Sequence, residues 1–104
     1  DDIIDTGNTV CKAAELINEC GAASVRAMIT HPVLSGDAIE KIEKSCMKEL
    51  IVTDTIPLKR QSDKIKVLST ASIFAEAIRR VENYESIADF YEIAVKQKGV
   101  VERF

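Results

Sequence analysis

The first nine residues, Asp1 to Thr9, combine side chains that suit a phosphorylated sugar. Val10 to Cys20 have a helical pattern, so the polar turn before them lies at a helix N-terminus. Free backbone N–H groups and the positive end of the helix dipole make such a turn a phosphate site. Gly7 lets the backbone approach a ligand closely, and the hydroxyls of Thr6 and Thr9 can donate further hydrogen bonds.

The acidic pair Asp1 and Asp2 completes this chemistry. Ionised carboxylates only accept hydrogen bonds, so they suit sugar hydroxyls or a hydrated Mg²⁺ ion. A phosphate on the turn and hydroxyls on the carboxylates together describe a phosphorylated sugar. The simpler interpretation is a helix cap made by Thr9. A cap needs one residue, whereas five polar residues are grouped here.

Alternating strands and helices must position this turn. We expect a first helix over residues 9–20 with Val10, Ala13, Ala14 and Ile17 on one face, and a strand over residues 24–30. Pro32 is expected to interrupt the chain. Ser35 is then expected to cap a second helix that carries acidic residues in its first turn and buries Ala38, Ile39 and Ile42.

The second half of the chain continues the alternation. Leu50–Val52 is a short apolar run typical of a strand covered on both faces, and Ile65–Leu68 is another short strand. We expect a helix over residues 71–81 with Phe74, Ile78 and Val81 facing inward, and a further helix in the tail from Ser86 to Lys98. The pattern predicts a parallel α/β sheet, with Asp1 and Asp2 at the carboxyl ends of its strands.

Composition narrows the function classes. The chain has 104 residues, enough for one domain, and a net charge of −3 that gives no electrostatic case for nucleic acid or an anionic membrane. No apolar stretch approaches the roughly 20 residues of a membrane helix. The three cysteines, Cys11, Cys20 and Cys46, include no C-x-x-C pair, so we expect reduced cysteines in a cytoplasmic protein rather than a zinc site.

The opening turn resembles the ribose 5-phosphate signature of the type I phosphoribosyltransferase fold. Further segments follow in an order that resembles the C-terminal domain of the ribose-phosphate pyrophosphokinase family over residues 1 to about 91. These segments are Thr30-His31, Leu34-Ser35-Gly36, residues 52–57, residues 64–68, residues 75–80 and Glu85-Ser86.

The resemblance implies an architecture. It is a three-layer parallel α/β sheet of the phosphoribosyltransferase type with an extra C-terminal helix. Residues 1–85 would form the phosphoribosyltransferase-like domain, and residues 86–104 a helical extension. Because the chain begins inside a motif, we expect it to be a portion of a longer protein, lacking the first strands of this domain and an N-terminal domain.

The resemblance also implies an activity. The enzyme would transfer the diphosphoryl group of ATP to ribose 5-phosphate with Mg²⁺, giving phosphoribosyl pyrophosphate and AMP. Its family typically forms homo-oligomers, often hexamers. The 5-phosphate would be held by the turn and the sugar hydroxyls by the acidic pair, that is, by Asp5, Thr6, Gly7, Asn8 and Thr9 and by Asp1 and Asp2. The ATP site and catalytic side chains are expected in the N-terminal half, so residues 1–104 alone should be inactive.

Alternatives remain at this point. The chain could come from a non-catalytic regulatory homologue of that enzyme, or from a type I phosphoribosyltransferase. His31, the only histidine, is expected to be structural. The pairs Lys59-Arg60 and Arg79-Arg80 are expected to be solvated charges rather than phosphate ligands. Tyr84 and Ala88 depart from the family pattern, which puts regulation by phosphate or ADP in doubt.

Overall fold

The computed structural model describes residues 1–90. The chain divides into two compact units, Asp1–Thr70 and Ala71–Phe104. The first unit holds five strands and two helices, and the second holds one described helix. In chain order they are β1 (Ile3–Ile4), α1 (Asn8–Glu19), β2 (Arg26–Ile29), β3 (His31–Pro32), α2 (Ala38–Lys44), β4 (Glu49–Thr53), β5 (Ile65–Leu68) and α3 (Ala71–Glu82).

Every strand pairing in the described residues is parallel, as the alternating pattern predicted. Three strands form a sheet in the order β2-β4-β5, with Ala27 opposite Leu50 and Leu50 opposite Ile65. The short strands β1 and β3 pair with each other. Only Thr30 separates β2 from β3, so β1 continues the sheet at the carboxyl end of β2.

The core of residues 1–70 lies on one face of this sheet. Alternate residues of β2, β4 and the start of β5 point to that face, which α1 and α2 cover. The opposite face carries Met28, which is exposed, and an ion-paired row in which Glu49 contacts Arg26 at 3.2 Å and Lys66 at 3.1 Å. The buried cluster comprises Ile4, Ala14, Val25, Ile29, Leu34, Ala38, Ile39, Ile42, Met47, Leu50, Val52 and Ile65. Residues 1–70 therefore form two layers, one of sheet and one of helices.

Several element boundaries match the predictions. β5 spans the predicted residues, and α2 buries the three predicted side chains. Pro32 is the last residue of β3, a two-residue strand that tolerates its missing N–H, so the regular structure ends there as expected. One local prediction was wrong. Ile51 is only partly buried between buried Leu50 and Val52, because the helical layer covers one face of β4 fully.

The predicted inward faces of two helices are largely exposed. In α1 only Ala14 is buried, while Ile17 is 51% exposed. In α3 no residue is buried, and Phe74 is 56% exposed. Periodicity identified an apolar stripe on each helix, but burial of such a stripe also needs a partner surface, which periodicity does not supply. The tail helix predicted from Ser86 to Lys98 falls mostly on residues 91–104, outside the described part of the chain.

Among residues 1–90, no helix has both the length and the apolar character needed to cross a membrane.

Leu50 is the side chain through which the stability of this core can be tested. It is fully buried between β2 and β5, whereas Leu68 at the end of β5 is 56% exposed. Leu50→Ala should lower the free energy of unfolding by about 2–5 kcal/mol, because it removes buried methyl groups and leaves a cavity. Leu68→Ala should cost less than about 1 kcal/mol. Urea denaturation measures both, and equal losses would contradict the assigned core.

Candidate functional site

A run of backbone hydrogen bonds brings the N-terminal turn against the segment that leads into α2. In each bond an N–H group from residues 30–35 donates to a carbonyl of residues 1–5. The bonds are Thr30 to Asp1 at 3.2 Å, His31 to Asp2 at 2.7 Å, Leu34 to Ile4 at 3.1 Å and Ser35 to Asp5 at 3.1 Å. The acidic pair therefore lies beside the carboxyl end of β2, as predicted.

Gly7 makes the turn from β1 into α1. It is the N-cap of the helix with φ 82°, and its carbonyl accepts the Cys11 N–H at 3.0 Å. A Cβ at this position would meet Ala38 at an ordinary 3.9 Å, so glycine is required by the left-handed backbone and not by crowding within the chain. No side chain caps the helix, so the alternative role of Thr9 as a cap was wrong.

The turn leaves donors available for an anion. Helix geometry gives the N–H groups of Asn8, Thr9 and Val10 no acceptor inside α1. Within residues 1–90 the hydroxyls of Thr6 and Thr9 have no hydrogen-bond partner either. These groups lie at the positive end of the α1 dipole, where a phosphate is stabilised.

An open cleft of about 260 Å³ lies in front of this turn. The predicted residues that line it are Asp1, Asp5, Thr6, Gly7 and Thr9. Asp2 and Asn8 do not line it.

Both carboxylates of the acidic pair keep accepting capacity. One oxygen of Asp1 accepts the Asp2 N–H at 2.8 Å, and one oxygen of Asp2 accepts the Ile3 N–H at 2.9 Å. Residues 1–90 hold no group of three or more side chains that could enclose a metal ion. The pair fits a hydrated Mg²⁺, because this ion usually keeps several waters and takes only one or two protein carboxylates.

Sequence reasoning missed two residues outside the turn, Ser35 and Lys41, that donate hydrogen bonds to it. The Ser35 hydroxyl donates to the Asp5 carboxylate, and the Lys41 ammonium donates to Asn8 Oδ1 at 3.0 Å. Ser35 was expected to cap α2, but the N-cap of this helix is Asp37. No local pattern identifies either contact, because both depend on α2 lying beside α1.

A second polar cluster occupies the same edge of the sheet. His31 Nδ1 lies 2.8 Å from the hydroxyl of Thr55, and the Thr53 hydroxyl donates to the Thr30 carbonyl at 2.7 Å. These bonds join the ends of β3 and β4, which agrees with a structural role for His31. Asp54 joins the same edge to the segment after β5, since it accepts the Thr70 N–H at 2.9 Å.

The arginine pair of α3 is engaged by carboxylates within its own unit. Arg79 contacts Glu76 at 2.7 Å and Glu85 at 2.9 Å, and Arg80 contacts Glu76 at 2.9 Å and also pairs with Asp89. These pairs agree with the interpretation of a charged helix face. In the first unit Arg60 likewise pairs with Glu43.

The fold and the turn together define a parallel α/β domain with a phosphate-type site at the carboxyl end of a strand. Residues 1–92 match the model of the phosphoribosyl synthetase-associated domain, and the chain belongs to this family. This match confirms the resemblance expected from the ordered sequence segments.

Individual relatives agree with that assignment. The chain is 56% identical over 91 residues to a ribose-phosphate pyrophosphokinase of Wolinella succinogenes, covering 88% of the chain and 29% of the relative. It is 52% identical over 91 residues to the enzyme of that name from Helicobacter pylori, with the same coverage. The crystal structure of phosphoribosylpyrophosphate synthetase from Mycobacterium smegmatis superimposes with a TM-score of 0.78 at 38% identity, covering 81% of the chain and 29% of that protein. The chain thus spans less than a third of these relatives.

The hydrogen bonds to Asp54 make its carboxyl group one contributor to stability in acid. Hydrogen bonds from the Thr70 hydroxyl and N–H, and from the Ser69 hydroxyl, lower the pKa of Asp54 from 3.8 to about 2. A lowered folded-state pKa stabilises the fold fully above the unfolded value, and this contribution is lost as the pH falls from about 4 to about 2. Asp54→Asn should therefore flatten the dependence of Tm on pH in that window. An unchanged slope in calorimetry would contradict this role.

Proposed function

We propose that the cleft binds ribose 5-phosphate as the acceptor of an enzyme that transfers the diphosphoryl group of ATP to it. The products are phosphoribosyl pyrophosphate and AMP. This activity is carried over from the names of the relatives, whose greater part lies beyond the matched residues. The proposed ligand contacts are the five predicted residues that line the cleft, Asp1, Asp5, Thr6, Gly7 and Thr9, while direct contacts from Asp2 and Asn8 stay predictions.

One observation carries the proposal: Gly7 turns the chain with φ 82° so that free amides and two free hydroxyls meet at an open cleft. A dianionic phosphate satisfies donors of this kind, and neutral ligands use them less well. The carboxylate of Asp1 lies at the same cleft and offers acceptors for the ribose hydroxyls. The cleft would therefore offer hydrogen-bond donors to the phosphate of a phosphorylated sugar and hydrogen-bond acceptors to its hydroxyls.

The residues of this chain would act by positioning. The anomeric hydroxyl of the sugar attacks the β-phosphorus of ATP, the bond from this phosphorus to the α-phosphate oxygen breaks, and AMP leaves. Holding the 5-phosphate in the turn fixes the direction of that hydroxyl, which is how binding energy lowers such a barrier. Mg²⁺ would neutralise phosphate charge, with Asp1 and Asp2 holding it through water. We expect the catalytic and ATP-binding groups outside residues 1–104, so these residues alone should not turn over.

The type I phosphoribosyltransferase alternative gains no support from the relatives, which are named as synthetases and pyrophosphokinases. A non-catalytic homologue would share the fold, and an assay for AMP release by the complete protein separates it from the enzyme. A homo-oligomer, a hexamer in the form typical of the family, and a cytoplasmic location stay predictions.

Asp1 is predicted to discriminate between the two substrates. Asp1→Ala in the complete protein should weaken ribose 5-phosphate binding by about 1–3 kcal/mol, or roughly 5- to 150-fold, because a ribose hydroxyl loses its charged acceptor. Binding of ATP should change much less. Isothermal titration calorimetry with each substrate measures both constants.

Asp2→Ala is the matched control, since it removes the neighbouring carboxylate, which does not line the cleft. It should weaken ribose 5-phosphate binding less than Asp1→Ala does. If Asp1→Ala weakens both substrates equally, the carboxylate has a general folding or metal role. If ribose 5-phosphate does not bind the unmodified protein, the proposed function is wrong.

A further inference from the structure

A side-chain contact links the phosphate turn to the second helix. Lys41 extends from α2 and its ammonium donates to Asn8 Oδ1 at 3.0 Å. Asn8 is the first residue of α1 and directly follows Gly7. Neither side chain lines the cleft.

Lys41 is itself held in place. Its ammonium contacts the Asp37 carboxylate at 3.1 Å, one helical turn earlier in α2. The hydrogen bond from Lys41 lowers the pKa of Asp37. The lysine side chain is therefore oriented by one partner on its own helix and donates to a second partner on the turn.

The Lys41–Asn8 contact matters because Asn8 adjoins Gly7, the most flexible residue of the turn. Gly7 has the widest conformational freedom of any residue type, so the backbone at the start of α1 is constrained by its neighbours. On the other side of Gly7, Asp5 accepts from Ser35. With Asn8 bonded to Lys41, the turn is anchored to the segment from Ser35 to Lys41 on both sides of its glycine.

We propose that the Lys41–Asn8 hydrogen bond is a latch that holds residues 5–9 in the conformation that binds the phosphate group of the sugar. The inference rests on the proposed function and adds a positioning residue to it. Lys41 acts through Asn8 and does not contact the ligand. The latch orders the turn before binding, which lowers the entropy that the ligand must offset.

The test is a double-mutant cycle in the complete protein. Lys41→Met keeps the aliphatic stem and removes the donor, and Asn8→Ala removes the acceptor while keeping the backbone N–H. Each should weaken ribose 5-phosphate binding about two- to fivefold, the effect of one exposed charged contact. The double variant should be no weaker than either single variant, because both break the same bond.

Two further variants control for charge and geometry. Lys44→Met removes the same charge from the same helix, and within residues 1–90 the Lys44 side chain makes no hydrogen bond or ion pair. It should leave the affinity unchanged. Lys41→Arg restores a cationic donor and should recover most of the lost affinity.

Hydrogen exchange of the ligand-free protein separates the latch from the proposed function. In Lys41→Met and in Asn8→Ala the amide of Cys11, which donates to the Gly7 carbonyl at 3.0 Å, should exchange faster than in the unmodified protein, and in Lys44→Met it should not. If exchange is faster in these two variants but the unmodified protein does not bind ribose 5-phosphate, the latch proposal stands and the proposed function is wrong. Unchanged exchange overturns the latch. Additive losses of affinity in the double variant also overturn it, because Lys41 would then act by direct attraction of the phosphate.

Discussion

The parallel pairing of residues 1–5 with residues 30–35 is the interaction on which the site depends. It aligns the end of β1 with the entry to α2, so the turn at Gly7 and the first turn of α2 become neighbours. Within this pairing Leu34 has φ 47°, a left-handed conformation that costs a residue with a side chain about 1–3 kcal/mol. Its side chain is only 2% exposed, and its N–H donates to the Ile4 carbonyl. Burial and pairing together hold the strained backbone.

The proposed site can bind an anion although acidic residues lie beside it. The turn follows three aspartates, yet its donors form a separate group: the amides at the start of α1 and the hydroxyls of Thr6 and Thr9. The Asp5 carboxylate accepts from Ser35, and both Asp1 and Asp5 line the cleft. The helix dipole and the amides at the start of α1 offset these negative charges where an anion would bind.

Local features were predictable from the sequence, and features set by tertiary register were not. The turn at Gly7, the three buried residues of α2 and the bounds of β5 follow from spacing and residue type within a few positions. Asp1 lines the cleft and Asp2 does not, a difference that the dipeptide alone does not reveal. Ser35 and Lys41 reach the turn across roughly thirty residues of sequence, so only the packing of α2 beside α1 identifies them. The apolar stripe of α3 was identified correctly as a stripe, but its burial was wrong because periodicity does not supply a partner surface.

A crystal structure of the complete protein with ribose 5-phosphate tests the central claim most directly. The account predicts the 5-phosphate at the N-terminus of α1, with backbone N–H groups of residues 7–10 within roughly 3 Å of its oxygens. The ribose hydroxyls should face the Asp1 carboxylate, and Lys41 should remain bonded to Asn8. Phosphate bound elsewhere at saturating ligand, with the Gly7 turn empty, would contradict it.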